Sequence, residues 1–447
     1  MSKRLMIVLA LAFVVGITCA AYAEVQNVKV GGDITTLAFD RYRFNLSTDD
    51  EAIKDQVQGL AAIVNVKVNA DLTDAVSVSI VLRNEKVWGK TSTSAVSGAE
   101  GETVANGNAD LNEYLAAGFV TMKEFAGQPL TLKIGQMAVK LGNGMIVGDP
   151  NTNGVSAGPF NYELADYCPR VAFTGGIAIW DVKPAVLTLG ALKVTENSLH
   201  TNRDDTNTYI ANAAFDIAEM TGLSKAIVEV YDVLEDNYDD SEVGDQGDVN
   251  NLGVRFDLTP MENVGVGVEY AYQTQQNDAG SGRNDNKAMS DSAFMANVNL
   301  GLPDVAMSPV LGVDFARFSR NWDPMYESLT PADIANVLFP NQNVQLIGLS
   351  AGLKPMDDVG LKLRYANLRL AKAFTEGDTV PTNWNSNDWT MTSKKDLGNE
   401  LDAYMTYDYT SDVQFGLKLG YFKPGKAFHE DNRKTAHQVI GSMKVTF

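Results

Sequence analysis

The chain has 447 residues and carries 36 basic against 56 acidic side chains, a formal net charge of −20 at pH 7. A surface this acidic argues against nucleic acid as a partner, because phosphate backbones are bound by basic surfaces. Its two cysteines, Cys19 and Cys168, are too few for a disulfide framework or a thiolate metal cluster, so no cofactor is expected.

The first 23 residues have the pattern of a secretory signal peptide. Two basic residues precede an apolar run, and the run ends in the small-x-small sequence Ala21-Tyr22-Ala23. Cleavage at this point would start the mature protein at Glu24. A retained membrane helix is the alternative, but the well-placed cleavage site favours export.

Beyond Glu24, apolar residues recur at every second position in many segments. In VGVGVEYAY, for example, Val264, Val266 and Val268 share one parity. This alternation is typical of an all-β transmembrane antiparallel β-barrel, whose strands face lipid on one side and the lumen on the other. About eighteen strands are predicted, with sixteen as the alternative count: 28–46, 58–70, 75–86, 109–124, 129–139, 169–182, 185–195, 207–218, 223–235, 249–258, 263–275, 290–301, 308–319, 343–354, 358–370, 398–409, 412–423 and 436–447.

Short connections alternate with long ones along the chain. Turn-forming sequences such as Lys183-Pro184 and Thr410-Ser411-Asp412 join some strands, whereas connections such as 87–108 and 371–397 are long and polar. Bacterial outer-membrane barrels have short periplasmic turns and long extracellular loops. The sequence therefore predicts a single barrel domain, residues 24–447, in the outer membrane of a Gram-negative cell.

Aromatic residues near the predicted strand ends support a membrane setting. Such residues form girdles at the two membrane interfaces of a barrel. A soluble protein of several β-sandwiches is the alternative, since its strands also alternate, but it would have many strand edges to protect. The residues assigned to the girdles are Tyr270, Tyr272, Tyr365, Tyr404, Tyr407, Tyr409, Tyr421, Phe422 and Phe447.

The connection 140–168 is long, irregular and rich in glycine and proline. Loops of this length without secondary structure are usually functional. We expect it to fold into the barrel and narrow the lumen, and the alternative is a loop exposed on the outer surface. The predicted constriction residues are Asp149, Asn151, Asn153 and Asn161.

Taking the polar parity of each strand as inward predicts a pore lining of mixed charge. Its basic members are Lys67, Arg83, Lys133, Arg170, Arg255, Lys362, Arg364 and Lys418. Its acidic members are Asp216, Glu229, Asp257, Glu269, Asp314 and Asp402. The alternative role for each is a structural pair with a charged neighbour on the next strand. A mixed-sign wall behind acidic loops predicts diffusion of small hydrophilic solutes or ions, with a mild preference for cations.

The most acidic stretch, EDNYDDSEVGDQGD, is predicted to be a solvated loop. Asp236, Asp239 and Asp240 within it form a weak candidate calcium site, since the residue order of a true calcium loop is absent. No other metal site is predicted.

No catalytic residues are predicted. The three histidines, His200, His429 and His437, fall in or beside the long connections, and the metal-dependent hydrolase motif His-Glu-x-x-His is absent. A plugged barrel that serves as an adhesin or a structural protein is a stronger alternative to the channel than an enzyme is.

The chain ends in HQVIGSMKVTF, with Val439, Met443 and Val445 on the parity of the terminal Phe447. This ending resembles the C-terminal strand signal of outer-membrane proteins. The resemblance implies that the barrel-assembly machinery recognises this strand. Outer-membrane lipid and lipopolysaccharide are further expected partners, and the sequence leaves open whether the barrel is a monomer or a homotrimer.

The segment LTLKIGQMAVKLGNGMIVGDPNTNG, residues 130–154, resembles porins of the alginate-export family, and so does the stretch VKVGGDITTLAFDRYRFN. That family has a strand ending Leu-x-x-Gly-Arg-Gln before a loop Tyr-Gly-x-Gly-x-Ile-Gly-Asp. The matching residues are Gly135, Gly142, Gly144, Gly148 and Asp149, whereas Gln136 and Met137 replace the family's arginine and glutamine. The resemblance implies a barrel of eighteen strands, and it makes a channel for a polysaccharide or uronate the alternative function.

Overall fold

The computed structural model describes residues 26–47, 56–88, 112–148, 172–195, 205–237, 248–275, 289–375 and 389–447. Within these ranges eighteen strands form a single sheet. The strands are β1 (Gln26–Tyr42), β2 (Gln56–Asp71), β3 (Val76–Trp88), β4 (Asn112–Met122), β5 (Leu130–Ala138), β6 (Ala172–Val182), β7 (Ala185–Thr195), β8 (Thr206–Asp216), β9 (Lys225–Asn237), β10 (Val249–Met261), β11 (Val264–Gln275), β12 (Met289–Gly301), β13 (Val310–Phe318), β14 (Val344–Met356), β15 (Val359–Leu370), β16 (Asp396–Asp408), β17 (Val413–Pro424) and β18 (Ala436–Thr446).

The sheet closes into a barrel because β1 pairs with both β2 and β18. The closing seam is antiparallel and runs from the pair Asp33 and Thr446 to the pair Tyr42 and His437. Every other strand pairs with its neighbours in the sequence, so all strand edges are hydrogen-bonded. Closure of this kind is what allows a sheet to cross lipid, where an unpaired backbone group would have no water. The predicted fold and strand number are confirmed.

Alternate residues of each strand face opposite sides of the wall, as the period-two pattern requires. On β10, Leu252 is 54% exposed on the outer face, whereas its neighbour Asn251 is fully buried on the inner face. The partners of Asn251 in the register are Val233 of β9 and Gln273 of β11, which are also buried. The apolar parity is thus the outer, lipid-facing surface, and the polar parity is the inner wall.

The two ends of the barrel differ in the length of their connections. Short turns such as Val182 to Ala185 and Met356 to Val359 lie at the end where β1 begins and β18 ends. The long connections lie at the opposite end. In an outer-membrane barrel the short turns are periplasmic and the long loops are extracellular.

The aromatic prediction is wrong for two residues. Tyr404 and Phe422 lie on the inner wall, where the Tyr404 hydroxyl donates a hydrogen bond to Asp333 Oδ2 at 2.9 Å and Phe422 is fully buried. Both sit on the inward parity of their strands, which residue type alone does not reveal. Tyr365 and Tyr421, in contrast, are exposed on the outer face.

Within the residues that the structure describes, parts of two connections at the long-loop end fold back into the barrel. We call residues 139–148 the first inward loop and residues 319–343 the second inward loop. Both join the main apolar core, in which Met145, Ile146, Trp322 and Leu338 are almost completely buried. This core therefore lies inside the barrel, between the inward loops and the wall.

The few helices are short. Helix α1 (Ala218–Thr221) forms part of the β8 to β9 turn, and helix α2 (Asp333–Leu338) belongs to the second inward loop. Three-residue 3-10 turns occur at Phe125–Gly127 and Glu430–Asn432. Across the part of the chain that the structure describes, no helix has the length and apolar character needed to cross a membrane.

Candidate functional site

The candidate site is the inner wall of the barrel and the two loops that enter it. The predicted lining residues Lys67, Arg83, Lys133, Asp216, Glu229, Arg255, Asp257, Glu269, Asp314, Lys362, Arg364, Asp402 and Lys418 lie on the inward parity of their strands. Arg170 and the predicted constriction residues Asp149, Asn151, Asn153 and Asn161 lie outside the described residues.

On β9 and β10 the structure brings three of these charges into one network with Lys225. Arg255 Nη1 donates to Glu229 Oε2 at 3.1 Å, and its Nη2 donates to Asp257 Oδ2 at 2.5 Å. Lys225 Nζ lies 2.8 Å from the same Asp257 oxygen. Cross-strand register makes the first contact, because Arg255 lies opposite Glu229 in the antiparallel pair, whereas Arg255 and Asp257 are two residues apart on one strand and therefore share a face.

The first inward loop is held against this network by its backbone. Gly142 N donates to Glu229 Oε1 at 3.1 Å, and Asn143 N donates to Glu269 Oε2 at 3.0 Å. The hydroxyl of Tyr231 donates to the other oxygen of Glu269 at 2.6 Å. Two acidic side chains of the wall thus accept the amides of the loop, and charge-assisted hydrogen bonds of this kind are among the stronger ones in proteins.

Glycine is required at two positions of the first inward loop. Gly142 has φ +54° and Gly144 has φ +84°, both in the left-handed region. A Cβ at Gly142 would collide with the Glu269 carboxylate, and one at Gly144 would collide with the Ser328 hydroxyl. The loop can therefore approach both the wall and the second inward loop only without side chains at these positions.

The two inward loops are bonded to each other. Tyr326 N donates to Ile146 O at 3.0 Å, and Ser328 N donates to Gly144 O at 2.8 Å. Val147 and Tyr326 form a parallel β-bridge. Because of these bonds, the two loops form one packed unit inside the barrel.

The second inward loop is also bonded to the wall on the side of β8 to β11. Gln273 of β11 exchanges two hydrogen bonds of 2.8 Å with the backbone of Asp323. The ring of Tyr326 packs edge-to-face on Phe173, with centroids 5.6 Å apart. Burial of Tyr326 near Glu235 raises the pKa of its hydroxyl, which therefore stays neutral.

Glu327 is a buried carboxyl group within the second inward loop. It is 3% exposed, and Asn341 donates to it through its side chain at 3.0 Å and through its backbone at 3.3 Å. Burial raises the pKa of Glu327 to about 8, because an ionised carboxylate is poorly solvated there. The loop therefore binds a proton that a solvated glutamate would release.

On the far side of the barrel, Arg364 joins the wall to the second inward loop. Its Nη1 and Nη2 donate to the two oxygens of Asp314 at 2.6 and 2.8 Å, a bidentate pair. Its Nε and Nη2 also donate to the carbonyl oxygen of Pro331 at 3.1 and 2.6 Å. One guanidinium thus connects β13, β15 and the residues just before helix α2.

Helix α2 is fixed by the acidic groups at its first turn and on the wall. Glu400 of β16 accepts hydrogen bonds of 2.8 Å from the amides of Ile334 and Ala335. Asp333 of the helix accepts a bond from Tyr404 and lies 3.0 Å from Lys418 Nζ. The second inward loop is therefore anchored on opposite walls and crosses the interior.

The inner wall at β18 and β1 to β5 has charged groups as well. Lys67 Nζ lies 3.0 Å from Asp33 Oδ1, and its side chain is half exposed. Arg83 Nε lies 2.6 Å from Glu85 Oε1. Lys133 lies over the ring of Phe119, with 5.8 Å from Nζ to the ring centroid.

Sequence reasoning missed several residues that hold the inward loops. Glu400 shares the parity of the predicted Asp402 and could have been found by extending the inward pattern by two residues. Tyr231 is apolar in character but faces inward, opposite Gly253 in the register. Asp333 lies in a connection, where strand parity gives no information.

The candidate calcium residues gain no further support from geometry. Asp236 lies near the end of β9, while Asp239 and Asp240 lie outside the described residues. Among the residues whose placement is described, no three acidic, histidine or cysteine side chains are arranged to hold a metal ion.

A closed barrel of eighteen strands with an apolar outer face and a charged inner wall defines the protein as an outer-membrane β-barrel porin or channel. The sequence model of the family described as "Alginate export" matches residues 194–442, more than half of the chain. The chain therefore belongs to the alginate export family, and the predicted resemblance is confirmed.

Solved structures agree on the fold. The chain is similar to OccK9 (OpdG) of Pseudomonas aeruginosa at 10% identity and a TM-score of 0.58, over 96% of this chain and 100% of that one. A BenF-like porin from Pseudomonas fluorescens Pf-5 gives 9% identity and a TM-score of 0.59, over 96% and 100%. OccK2 (OpdF) of Pseudomonas aeruginosa, solved in complex with glucuronate, is 10% identical with a TM-score of 0.55, over 94% of this chain and 99% of that one. At such identities the likeness shows the fold alone. No curated protein matches the chain.

Proposed function

We propose that this porin lets small hydrophilic solutes or ions diffuse passively across the outer membrane, with a mild preference for cations. The observation that carries the proposal is the inner wall, where charged side chains of both signs surround a lumen narrowed by the two inward loops. Selectivity then depends on the width left beside the loops and on the lining charges. The net charge of −20 favours cations at the mouths at low salt.

Many of the lining charges form an ion pair with a side chain of opposite charge. Lining charges without an ion pair should therefore have the larger effect on ion preference. Lys362 and Lys444 are exposed on the inner wall and make no ion pair with any carboxylate of the described residues. Lys362 lies over the ring of Tyr404, with 5.7 Å from Nζ to the centroid. These two lysines are therefore expected to oppose cation flow.

The test is a planar-bilayer recording under a salt gradient. The wild-type protein should give discrete conductance steps and a reversal potential that favours cations. Replacing both lysines, Lys362→Gln with Lys444→Gln, should move the reversal potential further toward cation selectivity. The matched control replaces two exposed lysines of the short turns, Lys123→Gln with Lys183→Gln, and should leave the potential nearly unchanged. An equal shift in both double variants would contradict the assignment of these lysines to the pore.

A second candidate function is a channel for uronates or their oligomers. It is supported by the family description, by the glucuronate complex of the structurally similar OccK2, and by the half-exposed Lys67 on the inner wall. A lysine ammonium can bind a carboxylate that moves past it. Adding a uronate oligomer to one side of the bilayer tests this directly, because block of the current would support a uronate route and no block would support the general channel.

The third outcome is a barrel that conducts nothing. The bonded inward loops are the observation that favours it, since they fill part of the interior. The recording uses protein whose folding has been verified by heat-modifiable mobility. If such protein gives no conductance steps, the channel proposal fails and a plugged structural or adhesin barrel becomes the better account. The predicted assembly machinery, lipopolysaccharide and homotrimer remain predictions that this recording does not address.

A further inference from the structure

Six basic side chains lie together on the outer rim of the barrel at the long-loop end. Arg369 is on β15, Lys423 is on β17, and the remaining four lie in the adjoining connections. All six are exposed to solvent. We call this set the basic rim: Arg369, Lys372, Lys394, Lys395, Lys423 and Lys426.

Backbone contacts hold these residues in one place. Leu370 N donates to Lys395 O at 2.7 Å, and Lys395 Nζ donates to Ala371 O at 2.8 Å. Lys423 lies opposite Asn399 in the β16 to β17 register. The basic rim is thus a continuous patch across three neighbouring strands rather than residues that are close only in sequence.

The basic side chains of the patch have no ion-pair partner within the part of the chain that the structure describes. Asp396 lies opposite Arg369 in the register, but its carboxylate is 3.4 Å from the backbone nitrogen of Lys426. Like charges in one patch repel one another, so the patch favours an anionic partner.

The height of the patch matches the head-group region of the membrane. Tyr365 and Tyr421 face outward and are 42% and 44% exposed, as expected for the aromatic girdle at the lipid interface. Lys423 follows Tyr421 by two residues, and Arg369 follows Tyr365 by four. At about 3.3 Å per residue, they lie roughly 7 and 13 Å further along their strands. Lipid phosphates lie at this level, just outside the aromatic belt.

The rim at β7 to β9 differs in charge from the basic rim. On β9, the outward-facing residues near the same end include Asp232 and Asp236. Lys193 on β7 is also near this end, but its Nζ lies 3.1 Å from Asp205 Oδ2. A protein of net charge −20 has no general electrostatic attraction to anionic lipid. A local basic patch on such a protein therefore favours a local binding site.

From these observations we propose that the basic rim binds the phosphate groups of a phosphorylated saccharolipid of the outer leaflet, the lipid A part of lipopolysaccharide. The lysine and arginine side chains of β15 to β17 and their adjoining connections bind the two phosphates. The outward face below them contacts the acyl chains. The site is on the outer surface of the barrel, so it does not depend on which solute the lumen passes.

The test measures lipid binding to the full-length barrel by native mass spectrometry in detergent. The test variant combines Lys394→Gln, Lys395→Gln and Lys423→Gln. The matched control combines Lys123→Gln, Lys183→Gln and Lys354→Gln, which removes the same charge from exposed lysines at the short-turn end. Each variant is compared with wild type on bis-phosphorylated and on fully dephosphorylated lipid A, and folding is verified by heat-modifiable mobility.

Each basic side chain near an anionic lipid surface contributes roughly fivefold to affinity. The test variant should therefore bind bis-phosphorylated lipid A at least about tenfold more weakly than wild type at low salt. The control should stay within about twofold of wild type, and neither variant should change binding of the dephosphorylated lipid. Equal affinity of the test variant and wild type, an equal loss in both variants, or equally tight binding of the dephosphorylated lipid would each overturn the proposal.

Discussion

Replacing Arg364 with leucine tests how the second inward loop is held. The side chain of Arg364 is 12% exposed and makes four hydrogen bonds, two to Asp314 and two to the carbonyl of Pro331. Arg364→Leu would remove all four at once. It would leave a carboxylate and a carbonyl without donors at the place where the loop meets the wall.

The exposure of the two side chains limits how much free energy of loop attachment Arg364→Leu removes. Removing one partner of a fully buried ion pair costs about 3–5 kcal/mol. The Asp314 side chain is 24% exposed, so water compensates part of the loss and about 2–3 kcal/mol is the better figure. The strands keep their ladder hydrogen bonds, so this cost should fall on loop attachment rather than on the barrel. Loop detachment should then become roughly 30-fold to 150-fold more frequent.

The assay is the single-channel current in a planar bilayer at fixed salt. Arg364→Leu should give larger steps or more frequent excursions to a higher conductance, because the loop leaves the lumen more often. The control is Arg317→Leu on β13, since Arg317 is exposed on the outward parity of the same wall. That variant should behave like the wild type.

Adding Asp314→Leu to Arg364→Leu provides a further check on the reasoning. The double variant should recover part of the lost loop attachment, because the uncompensated carboxylate is gone. If Arg364→Leu gives the same current as Arg317→Leu and the wild type, the assignment of Arg364 as an anchor of the second inward loop is refuted.

Three other predictions concern the loops and the seam. Because the pKa of Glu327 in the packed loop is about 8, above the value near 4.5 of the solvated group, loop attachment is strongest below about pH 4.5. It weakens by up to about 5 kcal/mol as the pH rises to about 8; current fluctuations should increase over this range, and Glu327→Gln should reduce that increase. Gly142→Ala places a methyl group against Glu269 at a positive φ and should expose the first inward loop to limited proteolysis, whereas Gly265→Ala, with open space around its Cβ position, should not. Deleting Phe447 removes a residue whose backbone exchanges hydrogen bonds of 2.8 and 3.0 Å with the start of β1, and should lower the yield of heat-modifiable barrel; Phe447→Gly, which keeps these bonds, measures the contribution of the ring alone, and equal yields for all three proteins would contradict the prediction.

Strand number, approximate strand positions and the lipid-facing parity could be read from the sequence. The reason is that a strand places alternate side chains on opposite faces by its own backbone geometry, independent of what surrounds it. On β15, for example, Leu361, Leu363 and Tyr365 share the outer parity. The same rule placed charged residues such as Arg255 and Arg364 on the inward parity. Assignment by residue type failed for Tyr404 and Phe422, because an aromatic side chain suits either a membrane interface or a packed interior.

The partners of those inward charges were decided only by the tertiary structure. Gly142 reaches Glu229 across 87 residues of sequence, and Asn143 reaches Glu269 across 126. A pattern of neighbouring residues cannot predict contacts between residues so far apart in the sequence. They arise because closure of the ring brings strands that are far apart in the chain around a common interior, into which the two loops can fold. Alternation along a strand is a local property, whereas the packing of a loop against the opposite wall depends on the closed barrel as a whole.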